Sequence, residues 1–308
     1  MADSLARSGD AATAAGRAVA PRVPAVENQW LSLAHRIWRN PLGKIGFTSL
    51  VVLIVVAAIA PVAAPYSPYA QHSRQELLGP NPAFWFGTDE LGRDILSRLM
   101  WGTRISLLVG IVSVAVGISV GVTSGMVAGY AGGLLETIIM RVWDSLLAFP
   151  AILLGIAVAA MLGPGVVNAA IAVGIVNIPQ FSRISRASML SEKERDYVLA
   201  ARTVGQTDAK IVFRHVLPNI TTPLIIQATL AMAYAVLLEA GLSFLGIGAQ
   251  PPEPSWGSML NASRGYLRDN AWYGIFPGIA LSSLLLGLNF MADAVRDALD
   301  PRQKHLFR

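Results

Sequence analysis

The stretch IGFTSLVVLIVVAAIAPVAA, residues 45–64, decides the fold class, because it runs for 20 residues without a charge. At about 1.5 Å per residue, a helix of that length covers the roughly 30 Å hydrocarbon core of a bilayer. The rest of the chain agrees. Of its 308 residues 54% are hydrophobic and only 14% charged, against about 25% charged in a soluble domain. Mean hydropathy is +0.52, and 28 glycines with 18 prolines suit membrane helices. The absence of cysteine excludes disulfides, thiolate metal sites, thiol nucleophiles and iron–sulfur clusters.

Outward from that span, a second uncharged stretch covers Ile105 to Gly129. After the turn Tyr130-Ala-Gly-Gly133, a third helix is predicted from Leu134 to Leu162, with Arg141 and Asp144 near its start and positioned to pair at i, i+3. Gly163-Pro-Gly165 breaks the run, and a fourth helix follows from Val166 to about Leu190, which Pro179 should kink or end. The fifth and sixth spans are read at Pro223 to Gly248 and Trp272 to Ala292. Six crossings place both termini on one side of the membrane. That side then holds 18 of the 24 Lys and Arg residues, which orients it to the cytoplasm and accounts for the basic charge without nucleic acid.

The expected organisation has a mobile cytoplasmic tail at 1–28, an interfacial amphipathic helix at 29–41, a membrane domain at 42–300 and a cytoplasmic C-terminus at 301–308. In the interfacial segment Trp30, Leu33, Ala34, Ile37 and Trp38 share one helix face ending before Pro41; a soluble docking helix is the alternative. Within the membrane domain, 65–104 and 249–271 are read as extracytoplasmic and 181–221 as cytoplasmic. Ser113, Gly117, Gly121, Gly125 and Gly129 recur every four residues in the second span, a strip along which another helix can approach closely.

The 181–221 segment is too long for a simple connection. Ser191 and Glu194 suggest a capping box, and Tyr197, Ala200, Ala201 and Val204 then share a face before Gly205 stops the helix. A second short helix restarts near Thr207 or Asp208 and should end before Pro218. The small-residue face of this elbow suits insertion into a partner's groove, or packing on the chain's own membrane domain.

Tyr197-Val-Leu-Ala-Ala-Arg-Thr-Val-Gly205, with Ile211 and Arg214-His-Val-Leu-Pro-Asn219, resembles the Glu-Ala-Ala loop of bacterial ABC importer permeases of the dipeptide and oligopeptide (DppC/OppC) type. Gly87-Thr-Asp-Glu-Leu-Gly-Arg-Asp94 with Ser97-Arg98, Gly102–Leu107, Met140–Asp144, Leu147–Pro150, Glu239–Gly248, Pro254–Gly257 and Asp297–Arg302 resemble further segments of that subfamily. Two positions depart from it: the loop acid is Leu199, and the isoleucine before Leu-Pro is His215.

The resemblance implies an all-α, six-span, type I importer permease in a prokaryotic inner membrane. It implies a non-catalytic subunit that works with a homologous second permease, two ATP-binding subunits and an extracytoplasmic substrate-binding protein. Tyr197, Ala200, Ala201, Arg202, Gly205, Ile211, His215, Leu217 and Pro218 would couple to the ATPase. Gly87, Thr88, Asp89, Arg93, Asp94 and Trp256 would dock the binding protein. ATP and magnesium belong to the partners, and this chain binds no cofactor or metal; no Gly-x-x-x-x-Gly-Lys-Ser/Thr occurs.

Glu239 lies inside the fifth span, where a carboxylate costs roughly 2.5–3.5 kcal/mol on insertion scales. It either faces the translocation path or braces the bundle, as do Arg141 and Asp144. A rival function is an autonomous secondary transporter or channel using Glu239 as an ion or proton site. An intramembrane enzyme lacks candidates, since His35, His72, His215 and His305 all lie outside the predicted spans.

Overall fold

A computed structural model describes residues 37–38 and 40–299; the tail, most of the 29–41 segment and the C-terminus at 301–308 lie outside the described residues. Among the described residues from Pro41 onward, ten α-helical elements follow in order, with a 3-10 turn at Arg264–Tyr266 between the last two: α1 Pro41–Ala63, α2 Ile95–Ala131, α3 Gly133–Leu147, α4 Ala151–Leu162, α5 Val166–Glu192, α6 Asp196–Thr203, α7 at 208–219, α8 Thr221–Phe244, α9 Trp256–Ser263 and α10 Trp272–Leu299. Among the described residues there is no strand, only an isolated bridge between Thr88 and Asp94. The fold is the all-α membrane architecture expected.

α1 begins at Pro41, four residues before the uncharged run read from Ile45, because Asn40 caps it, its Oδ1 accepting from the Leu42 and Gly43 amides, while Pro41 at the first position lacks only an N–H the helix does not use. α1, α2, α8 and α10 are each long and apolar enough to cross a membrane. The third predicted helix is not continuous. It breaks into α3 and α4, which meet at 98° and together make a bent span or a re-entrant loop. Pro150 marks the break: it is itself extended, at ψ 130, as the cap of α4, and a proline disfavours the helical region for the residue before it. α5 is 27 residues long, but Asn168, Asn177, Gln180 and Arg183 dilute its apolarity, so the count of six crossings depends on α5 and on the bent pair. Pro179 does not end α5, which continues to Glu192; packing against α2 and α8 outweighs the local breaker.

The small-residue strip does what its spacing predicts. α2 lies along α5, with Ser113 Oγ donating to the Ala170 carbonyl at 2.8 Å. A Cβ at Gly117 would strike the Phe181 ring, one at Gly121 the Ile178 carbonyl, and one at Gly125 the Ser182 carbonyl and Ser185 hydroxyl. Residues Gly117–Val122 form a π-helical turn, which re-aims the strip midway along the contact. A second close crossing joins α1 to α10, where Gly46 lies against the Gly287 carbonyl and the Met291 amide.

Two of the five apolar clusters among the described residues are the largest. One gathers Ile95, Leu107, Val236, Trp256, Tyr273, Leu284 and Leu288; the other gathers Val122, Met126, Phe181 and Met189 with residues of α6 and α7.

Candidate functional site

The segment before α2 is a knot of buried polar groups. Asp89 is fully buried and bonds Arg93 Nε at 2.6 Å; Arg98 Nε lies 3.4 Å from the same carboxylate, and Arg93 also reaches Glu90 at 3.0 Å. Asp94 caps α2, accepting from the Ser97 amide and hydroxyl. Thr88 donates to the Gln75 carbonyl, and Asn270 donates to the Leu78 and Thr88 carbonyls, which ties the knot to the loop before α10. Gly87, at φ +81, turns under the Leu78 carbonyl where a Cβ would collide. Trp256 is buried on Gly102 and donates from its indole to the Leu99 carbonyl at 3.1 Å. The docking role expected for Thr88, Asp89, Arg93, Asp94 and Trp256 therefore does not fit their side chains, which are buried and bonded within the chain, Asp89 to Arg93 and the others to Ser97 or to backbone carbonyls. The outward residues are neighbours such as Trp85, which is 67% exposed, and Leu91.

The elbow forms as a helix, a glycine turn and a helix, with three local differences. Ser191 lies in the last turn of α5, so no capping box forms with Glu194, and α6 starts after Arg195 without a side-chain cap. Gly205 has φ +74, as its stop role requires. Its amide bonds the Arg202 carbonyl while the Gln206 amide reaches back to Ala201. α7 does not end before Pro218. A π-helical turn at Ile211–Val216 closes first, and the helix restarts at Leu217 with Pro218 in its first turn, where a missing N–H costs little.

One side of the elbow is sunk into the bundle. Val198, Ala201, Ile211, Val212 and Val216 are buried with Met126, Phe181 and Met189, and Tyr197 and Leu217 pack against them. The face expected to unite Tyr197, Ala200, Ala201 and Val204 is split, because the short helix lies flat on the bundle: Ala201 turns inward while Ala200 and Val204 turn out. The exposed apolar side chains are Leu199, Val204 and Phe213. Arg202 and Pro218 are also exposed.

Polar latches hold the elbow to the end of α2. Tyr130 donates to Asp208 at 2.5 Å with the Arg202 guanidinium 5.1 Å over its ring, and Lys193 donates to the Gly129 carbonyl. Tyr197 donates to Glu192 at 2.7 Å, and burial followed by that bond pushes its phenol above the usual range. His215 Nε2 lies 2.6 Å from Gln206 Oε1, which fastens α7 to the glycine turn.

Asp144 does not pair with Arg141. Its Oδ1 takes Arg183 of α5 at 2.6 Å, because α3 packs on α5 and a cross-helix guanidinium reaches it more directly. Arg141 is exposed. Glu239 is 1% exposed. Its Oε1 accepts from Ser243 Oγ at 2.6 Å, the same hydroxyl accepts from the Ala249 amide, and its Oε2 has no partner. Among the described residues no group of three or more His, Asp or Glu side chains is placed to hold a metal.

Sequence reasoning passes over one feature. A cleft of about 370 Å³ opens between the α3–α4 bend, α5 and α8, lined by Asn177, Gln180, Gln227 and Tyr234 among apolar residues. Its only sequence signal is a set of amides at helical spacing inside apolar runs, and spacing alone does not say which faces meet.

Residues 121–305 match the family model described as binding-protein-dependent transport system inner membrane component, and residues 28–80 match the N-terminal transmembrane domain of oligopeptide transport permease C. The chain is 40% identical over 290 residues to the dipeptide transport system permease protein DppC of Alkalihalophilus pseudofirmus, covering 92% of this chain and 95% of the relative. It is 43% identical over 226 residues to the DppC of Haemophilus influenzae, covering 73% and 77%. The glutathione transport system permease protein GsiD of Pectobacterium atrosepticum is also 43% identical, covering 73% of this chain and 75% of the relative. Among solved structures, an inward-facing conformation of the MetNI methionine ABC transporter superposes with a TM-score of 0.56 at 20% identity, over 67% of this chain and 98% of that one. With a family model over more than half of its length and a relative 40% identical across nearly all of it, the chain belongs to the binding-protein-dependent transport system inner membrane components.

Proposed function

We propose that this chain is one of two permease subunits of an ATP-driven importer for di- or oligopeptides. Both termini face the cytoplasm, the 196–219 elbow receives the stroke of two separate ATP-binding subunits, and the outer segments meet a substrate-binding protein. The observation that carries the reading is the elbow: it is rooted in the bundle core through Val198, Ala201, Ile211 and Val216 and presents Leu199, Val204 and Phe213 outward. A rigid body with an apolar outer face transmits movement of whatever covers that face into α2 and α5. The 40–43% identity to dipeptide and peptide permeases supports the substrate class. Glu239, bonded to Ser243 and outside the lining of the cleft, acts as a brace between α8 and the turn before α9. That leaves the secondary-transporter alternative without the accessible Glu239 it requires.

In proteoliposomes carrying the full complex and its binding protein, peptide uptake is expected to require ATP on the cytoplasmic face, to survive an uncoupler, and to persist in Glu239→Gln. Uptake by this chain alone, independent of ATP and lost with the uncoupler, would overturn the reading. A smaller effect is expected from Gly205→Val. A Cβ there meets nothing within 4 Å, so only the left-handed backbone opposes it, at a cost of about 1–2 kcal/mol. Uptake should fall about threefold to tenfold with membrane abundance unchanged, as immunoblotting of the membrane fraction would read.

A further inference from the structure

The amide-lined cleft is the feature least explained by packing. Asn177 is 3% exposed and its Nδ2 has no hydrogen-bond partner. Gln180 lies one turn further along α5, and Gln227 and Tyr234 lie two turns apart on the facing side of α8. Among the described residues none of these four side chains makes a hydrogen bond within the chain. Two carboxamides, a third that is buried and orphaned, and a phenol therefore converge on one opening with their donors and acceptors unspent.

Such a face does not belong against lipid. Uncharged polar groups at membrane depth turn to protein or to a water-filled cavity rather than to lipid. The chemistry of the cleft is selective in what it omits: no charged residue is among those that line it. Carboxamides offer both a donor and an acceptor, which matches the alternating N–H and C=O of a peptide backbone, while Leu146, Phe149, Leu154 and Leu230 supply apolar walls for side chains. The volume lies within the roughly 300–1,000 Å³ usual for small-ligand sites.

We propose that Asn177, Gln180, Gln227 and Tyr234 form a transient binding step for the peptide backbone inside the translocation path, reading amide groups rather than side chains or termini. The proposal rests on the peptide-importer reading above. Weak pairing is what a path requires, since a tight site would hold its cargo. Asp144 and Arg183, paired one turn beyond Gln180, stand where a released peptide next meets charge.

The test uses the complete importer in proteoliposomes, with radiolabelled trialanine as probe. Asn177→Leu with Gln227→Leu is expected to lower uptake per ATP hydrolysed about tenfold, with trialanine affinity of the binding protein, basal hydrolysis and recovery of the second permease all unchanged. Gln227→Asn should recover part of the loss. In the wild-type complex, a tripeptide carrying benzoylphenylalanine should label α5 and α8 on illumination during turnover, a readout that needs no variant to fold. Uptake within twofold of wild type in the double variant would overturn the proposal. So would loss of the second permease on purification, which would assign the amides to subunit contact, or absence of label on these helices. If wild-type uptake itself ran without ATP, the importer reading would fail on separate grounds.

Discussion

Gly125→Leu is expected to remove the folded protein from the membrane. A Cβ at this position would overlap the Ser182 carbonyl and the Ser185 hydroxyl of α5, and a backbone carbonyl inside a helix has no rotamer through which to retreat. Ser185 is itself held, its hydroxyl donating to the Phe181 carbonyl at 2.8 Å. α2 would have to move off α5 along the strip from Ser113 to Gly129, opening the core of Val122, Met126, Phe181 and Met189. Overpacking typically costs 1–3 kcal/mol where side chains yield; with backbone on the far side, at least about 3 kcal/mol is expected. Gly125→Ala should lie between, and Gly265→Ala, where an added Cβ meets nothing within 4 Å, should fall within about 0.5 kcal/mol of wild type. Membrane abundance and the thermal midpoint in detergent read the series. A stable Gly125→Leu at wild-type abundance would show that α2 and α5 do not meet along this strip.

Leu199→Asp with Phe213→Asp should leave the chain inserted and abolish transport. Both side chains are 47% exposed and lie on the face of the elbow turned away from the bundle, so the folded subunit loses little by the exchange. An ATP-binding subunit that covers them loses two apolar anchors and must bury two carboxylates. Each anchor is worth about 1.5–3 kcal/mol when fully buried. Co-purification of the ATPase should therefore be lost, and ATP-dependent uptake should fall at least about tenfold, with the amount of this chain in the membrane unchanged. Ala201→Arg is the wrong probe for the same contact: Ala201 is buried against the bundle, and a charged chain there would damage the subunit's own core. Undiminished co-purification of the double aspartate variant would move the ATPase contact elsewhere.

The sequence by itself determined the features whose cause is local. The uncharged run over α1 and the positive φ at Gly205 follow from bilayer thickness and left-handed backbone, each set by a few adjacent residues. The four-residue spacing from Ser113 to Gly129 likewise declared a close helix contact before its partner was known. The partner itself, α5, became visible only in three dimensions, as did the pairing of Asp144 with Arg183 in place of Arg141 and the split of the elbow face at Ala201.

Burial decided the remainder. Charged and polar residues between two spans read as a wet docking surface, yet Asp89 and Arg93 pair with each other, Asp94 takes Ser97 and Arg98 donates to the Pro68 carbonyl, all inside the protein. A run of polar letters does not say whether its counter-ions are solvent or each other. The amide cleft escaped for the converse reason. Asn177 and Gln227 are 50 positions apart, and each alone is an ordinary polar residue diluting an apolar helix. Only the bend between α3 and α4 and the packing of α5 beside α8 bring them to one opening, because long-range pairing depends on which helix faces meet and not on the spacing within any one helix.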